Sequence, residues 1–310
     1  MTLSRDWPLV VTVLVLVVVP WLLPNNYALD ITIRIALVGI AAVGLNLLMG
    51  FAGQVSIGHA AFVALGAYGS GLAAGRLSWP PLVGMIATAA AIAGLSWLIA
   101  KPILRLKGHS LTMATLGLGI IVHIVLVNEV QISGGPDGMP VPPFAIGSVV
   151  VSRLGHWYGL AAGLLFVAIV VSRNLFESPC GRALRGLHGS EIAARVVGVD
   201  VAAFKVRAFV ASAVLASISG SLMGHYLGFI SPEMASFGHS IELATMVVLG
   251  GMASTFGAVL GSALLTILPQ LLGGFRGFEE VSFGLILMLT MIFLPRGLVP
   301  TLASLLRRNA

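Results

Sequence analysis

Charge is what this 310-residue chain has least of: 9% of its residues are Asp, Glu, Lys or Arg, against 58% apolar ones. Soluble domains carry roughly 25% charged residues, and a water-facing fold of this length has too few here to cover its surface. The chain is therefore read as an integral membrane protein. Cysteine is almost missing as well; the single Cys180 excludes an internal disulfide framework and is read as an incidental thiol. Alternation of apolar and polar residues, the mark of membrane barrel strands, is absent from continuous runs such as Val10–Val19 and Leu160–Val171, so helices are expected. Three chemical signatures are also absent. No G-x-x-x-x-G-K-[ST] string occurs, no H-E-x-x-H, and no Ser-His or paired-carboxylate arrangement recurs at catalytic spacing. The first absence removes the usual cradle for ATP phosphates, and the others leave an intramembrane enzyme without a basis. The formal charge of +6 is not read as a nucleic-acid footprint, because membrane proteins concentrate Lys and Arg on their cytoplasmic side.

What is present is apolar sequence in lengths near the ~20 residues that cross a bilayer. Such stretches fall at 8–23, 31–49, 52–75, 80–100, 110–130, 158–172, 207–228, 239–251, 255–272 and 280–294. The expected fold class is an all-α polytopic membrane protein with about ten transmembrane helices. The stretch 239–251 is short enough to be a half-span. One transmembrane domain is expected over 1–310, with a cytoplasmic loop at 172–207. Arg5 ahead of Pro8–Leu23 resembles a signal peptide, but Pro24-Asn25-Asn26-Tyr27 follows where a small-x-small cleavage site belongs, so a retained first helix is expected. With both termini in the cytoplasm, Arg5, the Lys101–Lys107 segment, the 173–207 loop and the Arg296–Arg308 tail place 13 of the 17 basic residues inside. Arg34, Arg76, Arg153 and Arg276 remain outside. The positive-inside bias selects this orientation over its reverse.

Against that apolar background, Gly44–Gly71 carries Asn46, Gln54, Ser56 and His59, and eight glycines lie between Gly39 and Gly71. Polar groups are costly in hydrocarbon unless they face protein or a water-filled cavity. Glycines let backbones approach closely or let a helix break. The segment reads as a polar, flexible part of a transport path. Five of its residues, Ser56, Gly58, His59, Ala64 and Gly71, recur 180 positions later as Ser236, Gly238, His239, Ala244 and Gly251. The first copy opens the third apolar stretch and the second opens the eighth. An odd offset makes the copies antiparallel, so an inverted-topology repeat is expected; the alternative is two unrelated helix caps, since Ser favours that position. Candidate pathway or gate residues are Asn46, Gln54, Ser56 and His59 in the first copy, and Ser236, His239 and Glu242 in the second. His239 and Glu242 are three apart and share a helical face, where they can form a charge-assisted pair or a pH-sensitive latch. Three roles stay open for His59: touching substrate, gating, or packing a broken helix.

The 172–207 stretch is the only long charged one. Ser190 can cap a short helix, Glu191 suits its positive end, and Gly198 can close it. Arg182, Arg185 and Arg195 are candidates for contact with membrane lipid phosphates or with an acidic partner. A rigid knob that docks into another protein fits this pattern.

Read together, several of these strings resemble one family. Gly44-Leu-Asn-Leu-Leu-Met-Gly-Phe-Ala-Gly-Gln-Val-Ser-Ile-Gly-His-Ala-Ala-Phe62 is similar to the signature of the LivM-type permease of branched-chain amino acid ABC importers. So are Leu106–Gly108 leading into Thr112–Leu116, Gly134–Gly138, the loop Gly189–Gly198 and Phe293–Leu298. The resemblance runs from about residue 28 to 300, and the AGQ-S-GH string favours the LivM-type over the LivH-type subunit. It implies a permease that moves branched-chain amino acids across the bacterial inner membrane, with no cofactor or metal of its own. It also implies a second permease of LivH type, two cytoplasmic ATPase subunits that hydrolyse ATP, and a periplasmic substrate-binding protein. Glu191–Gly198 resembles the EAA-type coupling segment, with Glu-Ile-Ala-Ala where the pattern has Glu-Ala-Ala. On that resemblance Arg182, Arg185, Glu191, Ala194 and Gly198 are expected to serve ATPase coupling. Import of urea, short-chain amides or other amino acids by the same architecture stays open. So does an ion-coupled secondary transporter, which would explain Glu242 but leave the coupling-type loop without a purpose.

Overall fold

Helices follow the apolar stretches. A computed structural model describes residues 3–22, 25–106, 108–147, 149–189, 194, 196, 198, 200–272, 284–285, 288, 292, 297–299 and 301. In chain order the helices are α1 (Leu3–Leu22), α2 (Asn26–Asn46), α3 (Ala60–Gly75), α4 (Pro81–Ile103), α5 (His109–Asn128), the single turn α6 (Val130–Ser133), α7 (Leu154–Glu177), α8 (Pro179–Gly189), α9 (Val201–Leu227), α10 (Phe237–Gly250) and α11 (Thr255–Leu272). Two pairs of two-residue antiparallel strands, Met139–Pro140 with Phe229–Ile230 and Ala145–Ile146 with Val149–Val150, are the only sheet among the described residues. The fold is an all-α polytopic membrane protein. Five helical segments among the described residues are long and apolar enough to cross a bilayer, and four more are apolar but shorter. The last expected stretch, 280–294, lies mostly outside the described residues.

Two helix starts lie well away from the sequence expectation and one helix was not expected, each for a local reason. The third stretch becomes helical only at Ala60, not at residue 52. Helix α2 ends in a π-helical turn, Leu47–Phe51, and Gly53 then takes φ +65°, a conformation open to glycine because it has no Cβ. Residues 52–59 follow an irregular path. Helix α9 starts at Val201, inside the charged loop, because the Asp200 carboxylate accepts the Ala203 N–H at 3.1 Å and caps it. The loop also holds a helix that the sequence reading did not place, α8. Ser178 accepts the Gly181 N–H at 3.3 Å and Pro179 takes the first helical position, a regular helix start. Ser190 and Glu191, the expected start of the loop's short helix, lie outside the described residues; within it Ala194 and Val196 are helical, and Gly198 has φ +82°.

Helix α2 is the central strut, buried from Ala36 onward and packed by α7, α9, α10 and α11. In a bilayer the hydrophobic effect does not draw helices together, so close backbone approach and hydrogen bonds must. The crossing of α3 and α9 uses both. A Cβ on Gly66 would strike the Ser217 carbonyl, and one on Gly220 would strike that of Val63. The Ser221 hydroxyl donates to the Gly66 carbonyl at 2.8 Å. Gly250 and Gly257 similarly bring α10 and α11 together. Helix α1 is held to α7 by the Tyr158 hydroxyl, which donates to the Leu16 carbonyl at 2.6 Å.

The two ends of the bundle are distinct. At one, Arg76 after α3 donates to the carbonyls of Gln131 and Ile132, and Val141 N–H donates to Gly228 O at 2.9 Å. At the other, Asn46 at the end of α2 accepts the Ala253 N–H at 3.0 Å, beyond the end of α10. Helix α3 therefore runs toward the Arg76 end and α10 toward the Asn46 end, in opposite directions.

Candidate functional site

Irregular backbone survives at membrane depth only where protein or water satisfies it, and the 52–59 segment is built to that requirement. Gln54 N–H donates to Leu48 O at 3.0 Å, and Ile57 N–H donates to the Thr115 hydroxyl of α5 at 3.2 Å. Gly58 lies so close to the Thr115 carbonyl that a Cβ there would overlap it. At the start of α3, Ala60 N–H donates to the Ser240 hydroxyl of α10 at 3.3 Å. These two residues are 180 positions apart, the offset separating the two sequence copies. The opening turns of α3 and α10 thus meet inside the bundle.

The first-copy residues do different jobs. Asn46 is fully buried and its side-chain oxygen ties the end of α2 to the turn after α10. Ala253 in that turn holds φ +64°, unusual for a residue with a Cβ. Gln54 donates to the Ala52 carbonyl at 3.0 Å, and with Gly53, Val55, His109 and Thr112 it lines a cavity of about 390 Å³ at the start of α5. Ser56 is buried. His59 has no exposure; its Nε2 pairs with the Ser212 hydroxyl of α9 at 3.1 Å, and its ring meets Phe62 edge-on. Its Nδ1 has no hydrogen-bond partner among the described residues.

The second copy is more open. Ser236 caps α10 by accepting the His239 N–H at 3.2 Å. His239 Nδ1 lies 3.3 Å from Glu242 Oε2, with the two side chains 22% and 34% exposed. The pair expected from the i, i+3 spacing is therefore formed; Phe237 and Ile241 are exposed on another side of the same helix. His59 and His239 engage different partners and do not pair with each other. Two histidines that the sequence reading passed over brace the Arg76 end: His123 Nδ1 donates to Pro232 O at 3.0 Å and His225 Nδ1 to Pro142 O at 2.8 Å. Since a carbonyl only accepts, Nδ1 carries the proton in both. Neither has a sequence neighbour that would have given it away.

On the opposite end lies the charged loop. Helix α8 carries Arg182 and Arg185, both exposed. The Arg185 guanidinium stacks 4.3 Å from the Phe176 ring centre, and Phe176 lies 4.2 Å from the Phe51 ring of the π-turn. Beside them Leu184, Ala194, Val201 and Ala208 form one buried cluster with Ala52. The loop and the irregular segment are thus in direct contact. Ala194 faces that cluster, whereas Val196 is 81% exposed. Glu191 lies outside the described residues.

A polytopic helical bundle with a glycine-rich polar segment broken in its interior and a cationic helix packed beneath it belongs to the class of membrane permeases. Residues 27–295 match the family described as branched-chain amino acid transport system, permease component, and the chain belongs to that family. It is 32% identical over 317 residues to the high-affinity branched-chain amino acid transport system permease protein LivM of Salmonella typhimurium, covering 93% of this chain and 73% of that one. The Escherichia coli LivM protein is 32% identical over 94% of this chain and 74% of its own length. The Escherichia coli LivH permease is 26% identical over 83% of this chain and 89% of its own. The LivM-type resemblance of Gly44–Phe62 therefore extends over 93% of the chain. No solved structure matches it.

Proposed function

We propose that this chain is one permease subunit of an ATP-binding-cassette importer that carries branched-chain amino acids across the bacterial inner membrane. The observation that carries the reading is the 32% identity to LivM permeases over 93% of the chain. A LivH-type subunit completes the permease pair, two ATPases bind on the cytoplasmic side, and a periplasmic binding protein delivers substrate. Hydrolysis belongs to those ATPases, as the lack of a phosphate-binding string in this chain accords with. Both termini lie in the cytoplasm, supported by the distribution of Lys and Arg.

The substrate path runs along 52–59 and the side of α10 that carries His239 and Glu242. A zwitterion needs neutral dipoles that accept it without holding it, and Gln54, Ser56 and Ser236 supply them. Ser56–His59 and Ser236–His239 approach each other from the two sides as halves of an inverted repeat and meet at the middle of that path, a reading supported by the opposed directions of α3 and α10 and by the Ala60–Ser240 bond. Helix α8 and the segment through Gly198 form the docking knob, and Arg182 and Arg185 present its charge.

Uptake of labelled leucine, isoleucine and valine by cells with and without the gene tests the substrate. We expect saturable uptake that needs this chain and vanishes with a hydrolysis-defective partner ATPase. Uptake of urea or a short amide in place of these amino acids would reassign the substrate. Uptake that collapses with the ion gradient while ATP is maintained would overturn the class.

A further inference from the structure

Between α4 and α9, at the same end of the bundle as α8, lies a groove of about 560 Å³ unrelated to the 52–59 segment. Its walls are apolar, with Val206 and Val210 along its length, and Ala203 keeping it open. At its mouth stand two cations, Lys101 in the last turn of α4 and Arg207 in the second turn of α9. Both are exposed, and neither is paired with a carboxylate among the described residues. Lys101 Nζ is held 3.5 Å above the centre of the Trp97 ring, and the Arg207 guanidinium lies 5.3 Å from that of Phe204. The nearest acid along α9, Asp200, is occupied in capping the helix through the Ala203 N–H.

We infer that this groove is a binding site for one anionic phospholipid of the cytoplasmic leaflet. Its phosphate rests between Lys101 and Arg207 and an acyl chain lies along Val206 and Val210. Three observations combine. The charge at the mouth is of one sign and fixed in direction by aromatic stacking, which lowers the ordering cost of binding an anion. The floor is apolar and as large as a small-molecule site. The groove opens where α4 ends and α9 begins, the level at which basic pockets between transmembrane helices meet headgroups. A lone snorkelling lysine or arginine needs no cavity; two that converge on one do. The inference depends on which end of the bundle is cytoplasmic, not on the substrate carried.

The assembled permease complex would be placed in nanodiscs of phosphatidylethanolamine, alone or mixed equally with phosphatidylglycerol, and the lipid retained after release counted by native mass spectrometry. Wild-type protein should keep phosphatidylglycerol in preference to phosphatidylethanolamine. The double variant Lys101→Gln/Arg207→Gln should lose that preference by about tenfold or more, from roughly one increment of attraction per cation. Ala203→Leu, which fills the groove and leaves both charges, should lower retention of either lipid. Equal retention of the two lipids by wild-type protein, or a preference untouched by both variants, overturns the inference. So does a photocrosslinker at Val206 that captures the second permease instead of lipid.

Discussion

Gly220 shows how little room single residues have here. Its missing side chain lets α9 lie against the Val63 carbonyl of α3. Gly220→Ala should therefore destabilise the protein by about 1–3 kcal/mol, as overpacking does, whereas Gly163→Ala, with nothing within 4 Å of its added carbon, should be neutral or slightly stabilising. Unfolding of the two variants in detergent, compared with wild type, measures this; equal stabilities would mean the α3–α9 crossing is softer than drawn. Asn46 is a second such residue. Asn46→Ala removes the acceptor for Ala253 N–H and should cost about 1–3 kcal/mol in the same assay. The sequence marked Asn46 and His59 as out of place in hydrocarbon, and each has one protein partner, for Asn46 Oδ1 and His59 Nε2, while Asn46 Nδ2 and His59 Nδ1 have none among the described residues. Their partners, Ala253 and Ser212, are unremarkable in sequence and more than 150 positions away, so no local pattern could name them.

At the scale of elements, the contact between the charged loop and the 52–59 segment matters most. Arg185, Phe176 and Phe51 make a stacked column from α8 to the π-turn. An aromatic pair is worth about 0.5–1.5 kcal/mol, enough to bias a two-state equilibrium by up to about tenfold. Phe176→Leu keeps the packing volume near its original value but removes the stacking. The expected result is a several-fold fall in transport per ATP hydrolysed by the assembled complex, with hydrolysis itself retained. If transport and hydrolysis stay in their wild-type ratio, the column is only packing. Periodicity and composition made most helices legible, because long apolar runs have few other options. The breaks were harder to read. The start of α3 at Ala60 is set by Gly53 and by contacts to α5, and α8 was hidden because its start signal, Ser178-Pro179, sits within a stretch read as loop.

For the molecule as a whole, sidedness is the property that organises the rest. In a Cys180→Ser background, Val149→Cys should react with a membrane-impermeant maleimide in spheroplasts, and Val196→Cys only in inverted vesicles. Both positions are well exposed, so labelling reports the side and not burial. The reverse pattern would turn the bundle over and move the anionic-lipid groove to the other leaflet. Ala194, by contrast, faces the buried cluster around Ala52, so crosslinks to an ATPase should be sought from Val196 and Arg182.

The central position of α2 has a consequence in time. It leaves the ribosome before α7, α9, α10 and α11, which surround it and are all made later. Asn46 waits 207 residues for Ala253, and Leu16 of α1 waits 142 for Tyr158. At 5–20 residues per second, the first delay is roughly 10–40 s. Through that interval the future core of the protein is an outer helix with an unmatched amide, which lipid or an insertion chaperone has to accommodate. Its biogenesis therefore proceeds by later helices gathering around an early one, and the chain's centre is the part that spends longest unassembled.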